Sequence, residues 1–201
     1  MAGKYPPGER LPIEKIAKAM GVSQTPVLSA IVVLEQEGLI VSRPHRSAFV
    51  RDYSDEELTV LLRVISVNEG LAASIAAELI APREIRSLWG LHQKAVANSN
   101  LSTKEFQEYD RKFHMKIVHS CRVDLLIDLI ETRLAQFYLS RYYVGRSPER
   151  IKKSLAEHNK IISALEHHDP IQAEQAIKEH IESAIRDLLF PIQAGEQSGS
   201  S

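Results

Sequence analysis

One cysteine, Cys121, stands among 201 residues. An internal disulfide is thereby excluded, and the thiol is expected as a small buried side chain in a reducing cytosol. An excess of one charge is missing as well: 25 Lys and Arg stand against 26 Asp and Glu, a net charge of −1. Bulk charge therefore does not indicate a strongly basic nucleic-acid binder, although a local basic patch is compatible with it. No apolar run approaches membrane-spanning length, and Met1 to Gly8 lacks the apolar core of a signal peptide. A cytoplasmic protein is the expectation. The chain also has no Gly-rich phosphate loop, no nucleophile elbow and no Cys/His dyad. What remains is an ordinary globular composition, 44% hydrophobic, long enough for one large domain or a small and a medium one.

The first fifty residues read as two helices and a hairpin. Pro6-Pro7-Gly8 is a turn or extended segment. Ile13 to Met20 has helical periodicity, and Gly21 is a natural C-terminal stop. Ser23 is a good N-cap for a second helix, in which Pro26 is tolerated only because it falls in the first turn; Gly38 ends it. Two helices around a short Gly-containing turn make a helix-turn-helix candidate. Leu39-Ile40-Val41 and Ala48-Phe49-Val50 flank the basic turn Arg43-Pro44-His45-Arg46-Ser47, which reads as a β-hairpin, or wing.

After a connector at Arg51-Asp52-Tyr53 the pattern is helical throughout. Ser54 and Glu57 form a capping box that opens a long helix to about Ile80, with Leu58, Leu61, Leu62, Ile65, Leu71, Ile75 and Leu79 as its apolar stripe. Five more helices follow, at about 83–97, 102–121, 124–143, 147–167 and 170–190. Ser102 with Glu105 caps the third, Gly145 lies just past the fourth, and Asp169, Pro170 and Gln172 open the last. An antiparallel all-α bundle of six helices is the natural solution. The expected divisions are 1–52, 53–190 and a flexible tail at 191–201.

Within the bundle, Asp110 and His114 sit four residues apart, which on a helix stacks a carboxylate and an imidazole on one face, roughly 6 Å apart. His158 and His180 each lie 11 positions from Asp169, one before and one after. An antiparallel hairpin turning at Asp169 brings both to the same depth, roughly 16 Å from the turn. Asp110, His114, His158 and His180 thus make a candidate four-ligand site. Three imidazoles and one carboxylate suit Zn²⁺ first, and also Ni²⁺, Fe²⁺ or Mn²⁺. On the fourth bundle helix Arg133, Tyr138, Arg141 and Tyr142 are candidate contacts for an anionic effector. His92 and His119 are expected at the surface or internally satisfied, and His167 and His168 suit a helix C-terminus.

Pro7-Gly8-Glu9-Arg10-Leu11, Gly21-Val22-Ser23-Gln24-Thr25-Pro26-Val27, Leu34-Glu35-Gln36-Glu37-Gly38-Leu39-Ile40 and Ala48-Phe49-Val50 together resemble the winged helix-turn-helix of GntR-family transcription regulators. The resemblance makes the second helix the recognition helix in the major groove, with the wing beside it. Ser23, Gln24 and Thr25 would then open the reading helix, with Lys15, Lys18, Arg43, His45 and Arg46 near phosphates. The family usually carries arginines where this chain has Gln24 and Leu28, an acidic residue near Ser29, Gly at the Ser47 wing tip, and a further helix before the Pro-Gly block. Without its arginine, each such position forgoes about 1–3 kcal/mol of binding, so a weaker or different operator is expected.

Residues 54–190 resemble the FCD-type ligand-binding domain of the FadR subfamily, on Asp110-x-x-x-His114, Glu157-His158 with Ile161 and Ala164-Leu165, then Asp169, Ala173 and Glu179-His180-Ile181. Six helices rather than seven are closer to the VanR-type branch. The resemblance implies that Asp110, His114, His158 and His180 hold a divalent metal and that a small carboxylate effector completes its coordination. Val123 stands where relatives often carry Asn.

The function expected from residues and resemblance together is a metabolite-responsive regulator that binds a double-stranded DNA operator as a homodimer. Two alternatives stand beside it. One is a metal-dependent hydrolase or lyase built on the same quartet, with Glu157 and Glu179 the nearby bases but expected to point elsewhere. The other is a ligand sensor whose DNA-binding domain is degenerate.

Overall fold

The computed structural model describes residues 5–43, 47–140 and 147–189. His45, Arg46, Arg141, Tyr142, Gly145 and the tail 191–201 lie outside the described residues. The chain order is α1 (Ile13–Met20), α2 (Gln24–Gln36), β1 (Ile40–Arg43), β2 (Ser47–Val50), α3 (Asp55–Leu79), α4 (Pro82–Ala97), α5 (Thr103–Ser120), α6 (Asp124–Tyr138), α7 (Pro148–Glu166) and α8 (Pro170–Leu189).

The turn between α1 and α2 follows from Gly21. Its φ of 68° is left-handed, and its N–H closes back on the Ala17 and Lys18 carbonyls. Ser23 is the N-cap residue of α2 in extended conformation, without a side-chain cap bond. β1 and β2 pair antiparallel, Ile40 opposite Val50 and Arg43 opposite Ser47. The Pro-Gly block adds an outer rung: Gly8 donates to Val50, Val50 to Glu9, and Leu11 to Ala48. Leu11, Ile31, Ile40, Ala48 and Val50 close a small core between sheet and helices.

The six helices α3–α8 share a second, larger core. Caps set their starts. Ser54 and Glu57 exchange bonds at α3, Ser102 and Glu105 at α5, and Asp169 Oδ1 accepts from Gln172 N at α8. The α3 helix is the spine. Its buried positions Leu58, Leu62, Ile65, Glu69, Ala72 and Ala76 recur at alternating steps of four and three. The alanines let α8 approach closely, and Gly70 shows how closely: a Cβ there would lie 3.2 Å from Glu174 Cγ and Lys178 Cε.

Three expectations need correction. Leu71 and Leu79 are not in the buried stripe; they are 49% and 42% exposed, because the turn between core positions is filled by Ala72, Ala73, Ala76 and Ala77. The fourth bundle helix ends at Tyr138, short of 143, with Leu139 as its C-cap. And α3 is, by length and composition, apolar enough to cross a membrane. Half of its apolar window is packed inside the bundle, which accounts for that hydrophobicity as core.

Candidate functional site

Asp110 and His114 come from α5, His158 from α7 and His180 from α8. All four are buried, at 2%, 5%, 0% and 3% exposure. One ligand atom from each lies within 4.8 Å of the other three. The three ring centroids stand 4.7–5.3 Å apart. Four donors around one zinc at its usual bond lengths lie about 3.4 Å apart, so a modest inward movement of the side chains would close the shell.

The ring orientations decide more than the distances. Each imidazole gives Nδ1 to an outer partner. His114 Nδ1 is 2.7 Å from Glu69 Oε2, His158 Nδ1 is 2.9 Å from the Tyr109 hydroxyl, and His180 Nδ1 is 2.8 Å from Glu157 Oε2. The carboxylates of Glu69 and Glu157 accept, so His114 and His180 carry their proton on Nδ1 and present Nε2 as an acceptor. His114 and His158 Nε2 face the same Asp110 Oδ1, at 3.8 and 3.5 Å. Three imidazoles tied at Nδ1, two of them with Nε2 beside the buried Asp110 carboxylate, resemble the outer-partner arrangement of histidine metal sites. The donor set therefore fits a divalent cation.

The outer partners are themselves held. Burial alone would push the Glu157 carboxyl up, but the His180 hydrogen bond and the Arg150 guanidinium outweigh it and hold it below the usual carboxylate range. Burial first of all drives His180 down, against the Glu157 hydrogen bond, so that ring is neutral and acts on Glu157 as a donor. Arg150, also buried, bridges Glu157 at 3.0 Å and Asp187 at 3.0 Å. Burial, with the Asp110 charge, pushes the Tyr109 hydroxyl up, so it stays an O–H. That hydroxyl is also 2.7 Å from His92 Nδ1, and burial pushes His92 down. A neutral His92 can accept from Tyr109 while Tyr109 accepts from His158. Phe113 stacks on His158 at 4.1 Å and fixes its plane.

Sequence reasoning missed Glu69, Tyr109 and Arg150, and turned Glu157 the wrong way: one residue before a ligand, about 100° around the helix, it faces α8 and His180. Glu69 had a signal, since it falls on the buried stripe of α3, where a carboxylate needs a partner. Of the remaining histidines, His92 is buried and satisfied, His119 is an exposed partner of Glu131, and His167 and His168 bond the Ser163 and Ala77 carbonyls.

A cavity of about 20 Å³ adjoins the cluster, lined by Leu134, Phe137 and Tyr138 of α6 together with Glu69, Asp110, His114 and His180. Tyr138 reaches this cavity. Arg133, a candidate effector contact, does not line it; it donates to Gln136 Oε1 at 3.1 Å instead.

On the winged unit, Ser23, Gln24 and Thr25 are exposed at the start of α2, and Lys15 and Lys18 are exposed on α1. Arg43 lies over the Phe49 ring at 4.5 Å, at the base of the hairpin. No Lys or Arg stands anywhere in α2, and Val32 and Val33 are 53% and 52% exposed on it.

A winged helix-turn-helix carried on a helical bundle with a buried polar cluster is the build of a ligand-responsive transcription regulator. Comparison with known proteins agrees. Residues 1–50 match the model for bacterial regulatory proteins of the gntR family, and residues 61–183 match that for the FCD domain. The chain belongs to the GntR family and carries an FCD domain as its helical part. It is 28% identical over 177 residues to the HTH-type transcriptional repressor RspR of Escherichia coli, covering 88% of this chain and 78% of that protein. It is likewise 28% identical over 216 residues to the Escherichia coli Uxu operon transcriptional regulator, covering 92% and 80%. In fold it is similar to Escherichia coli McbR/YncC, with a TM-score of 0.82 at 22% identity over 93% of this chain and 90% of that one. These relatives are regulators and not enzymes, so the hydrolase or lyase alternative is set aside.

Proposed function

We propose that this regulator holds one divalent metal, zinc by preference, on Asp110, His114, His158 and His180, and that a small organic acid entering beside Tyr138 completes the coordination. Metal and acid together tune the binding of a homodimer to a palindromic DNA operator in the cytoplasm. In this reading residues 1–52 bind DNA, residues 53–190 bind metal and effector in the manner of the FadR subfamily, and 191–201 are a tail. The observation that carries it is the common orientation of the three imidazoles, each tied at Nδ1 to an outer partner. A structural polar cluster has no need of three imidazoles oriented alike around one buried carboxylate. Elemental analysis of the purified protein, with a thermal-shift screen of carboxylates on the zinc-loaded form, tests it. Zinc near one per chain and a shift with some acids is the expected result; no retained metal, and no response to added zinc, would reject the site.

Dimerisation has a candidate face. Val60, Val64, Val67 and Leu71 are exposed at 60%, 39%, 63% and 49%. Their steps of four, three and four form a straight apolar seam on the outer side of α3, of the kind that packs against a second helix. Two-fold pairing there would present two winged units to two half-sites.

A second reading is a ligand sensor with little specific DNA affinity, and the observation that favours it is α2. Its exposed face offers Ser, Gln, Thr and Val and no cation. Titration against the protein's own upstream region separates the two. Tight, sequence-specific retardation supports the regulator. Calorimetric ligand binding without any footprint supports the sensor.

A further inference from the structure

We infer that α6 is the strut that carries the state of the metal cavity to the winged helix-turn-helix, with Gln136 as its point of contact. This rests on the metal-and-effector reading of the cavity.

The first observation is which wall can yield. At about 20 Å³ the cavity has room for a single water. Any organic acid is larger, so loading must displace a wall. Glu69 on α3, Asp110 and His114 on α5 and His180 on α8 are tied to the polar cluster by ligand or outer-partner contacts. The α6 helix contributes none of the four candidate ligands; it presents Leu134, Phe137 and Tyr138. Moving α6 disrupts apolar packing, whereas moving any other wall displaces a candidate ligand or breaks the hydrogen bond that orients one.

The second observation is what α6 touches on its other side. Gln136 is buried, and its Nε2 donates to the Glu37 carbonyl at 2.6 Å. Arg133 donates to Gln136 Oε1 and so fixes the amide orientation. Glu37 is the C-cap residue of α2, the candidate recognition helix. Its carbonyl is among those a helix end leaves without an internal partner, at the negative pole of the dipole. Next to it the Gly38 carbonyl accepts from the Tyr53 hydroxyl at 2.7 Å. Gly38 has φ +73°, which favours glycine, and the Gln136 amide stands 2.6 Å from where a Cβ would lie.

The two sets of residues interleave on less than two turns of one helix. A helix moves as a rigid unit over that length. A shift that opens the cavity at Leu134 and Phe137 is therefore delivered to Glu37. The α2 helix, about 20 Å long at 1.5 Å per residue, magnifies a rotation at this end into a displacement of Gln24 and Thr25 at the other.

Hydrogen–deuterium exchange on the full chain, with and without Zn²⁺ alone, tests the inference. Zinc draws its four ligands inward and repacks the cavity wall. Exchange in the wild type should slow at least threefold both in α6 and in residues 34–40, where Leu39 N–H bonds the Leu34 carbonyl. In Gln136→Leu the α6 response should persist while that of 34–40 falls away; in Tyr53→Phe, which removes the neighbouring bond to Gly38 but leaves the Gln136 contact, both responses should remain. A wild type in which α6 responds and 34–40 does not would overturn the coupling and leave the metal reading intact. So would a Gln136→Leu protein with the full response at 34–40. Failure to take up zinc at all would overturn the metal reading, and this inference with it.

Discussion

Replacing Tyr109 by Phe probes the metal centre at a residue that is not a ligand. The ring would keep its contacts with Phe106, Phe113 and His158, at centroid distances of 5.9, 5.9 and 5.5 Å. The deleted hydroxyl is the partner of both His158 Nδ1 and His92 Nδ1. Leaving a buried ring nitrogen without a partner costs about 1–3 kcal/mol, felt with or without metal. Removing an outer partner of a ligating histidine weakens metal binding about 10–100-fold, felt only with metal. At a zinc concentration about 1,000 times Kd the wild type gains about 4 kcal/mol from binding. The variant, at the same concentration, gains about 1.4–2.7 kcal/mol. For a chain of this size a kcal/mol moves Tm by about 2–4 °C, so the zinc-induced rise should shrink by about 3–10 °C. Thermal unfolding of apo and zinc-loaded forms, with zinc affinity from competition against a chromophoric chelator, reads both effects separately. A Tyr109→Phe protein with wild-type zinc affinity and an undiminished rise would show that Tyr109 does not orient His158 toward a metal.

Three further outcomes follow from the same geometry. Burial holds the folded-state pKa of His180 below its unfolded value, so the unfolded chain takes up this proton first. The metal-free protein should therefore keep full stability above about pH 6.5 and lose it as pH falls from there; Tm measured from pH 8 to pH 5 checks the sign, and a rise on acidification would refute it. Val64→Glu combined with Val67→Glu should convert the dimer to monomer in sedimentation velocity, since two charges cannot be buried in an apolar helix seam; an intact dimer would move the interface elsewhere. Lys15→Ala should weaken DNA binding about equally across sequences and lower the salt slope by about 1; an unchanged slope would remove Lys15 from the phosphate contacts.

What the sequence makes legible is local. Capping pairs such as Ser54 with Glu57, and the left-handed glycines Gly21 and Gly38, set element boundaries through interactions a few residues long. The i, i+4 spacing of Asp110 and His114 is of that kind. So is the symmetry of His158 and His180 about Asp169, because one tight turn fixes the depth of both. Where two apolar patterns overlap, legibility ends. The α3 helix has one stripe for the bundle, at 58, 62, 65, 69, 72 and 76, and another facing out, at 60, 64, 67 and 71. Leu71 belongs to the second but reads as part of the first, because hydrophobicity alone does not say which side a neighbour occupies.

The outer layer of the site is illegible for a related reason. Glu69, Tyr109 and Glu157 act on His114, His158 and His180, and the sequence separations are 45, 49 and 23 residues. Each pairing depends on the register of one helix against another, and that register is set by packing. The run of alanines on α3 and the clearance at Gly70 bring α8 close to α3, while His114 on α5 meets Glu69 on the same spine. Arg133 misleads in the same way. An arginine on a cavity-lining helix invites pairing with an anion, but it sits one position from Leu134, and that step of about 100° turns it from the cavity toward Gln136. Ligands can be found by spacing along the chain. The groups that orient them, and those that couple them to a distant surface, are found only once the helices are seen side by side.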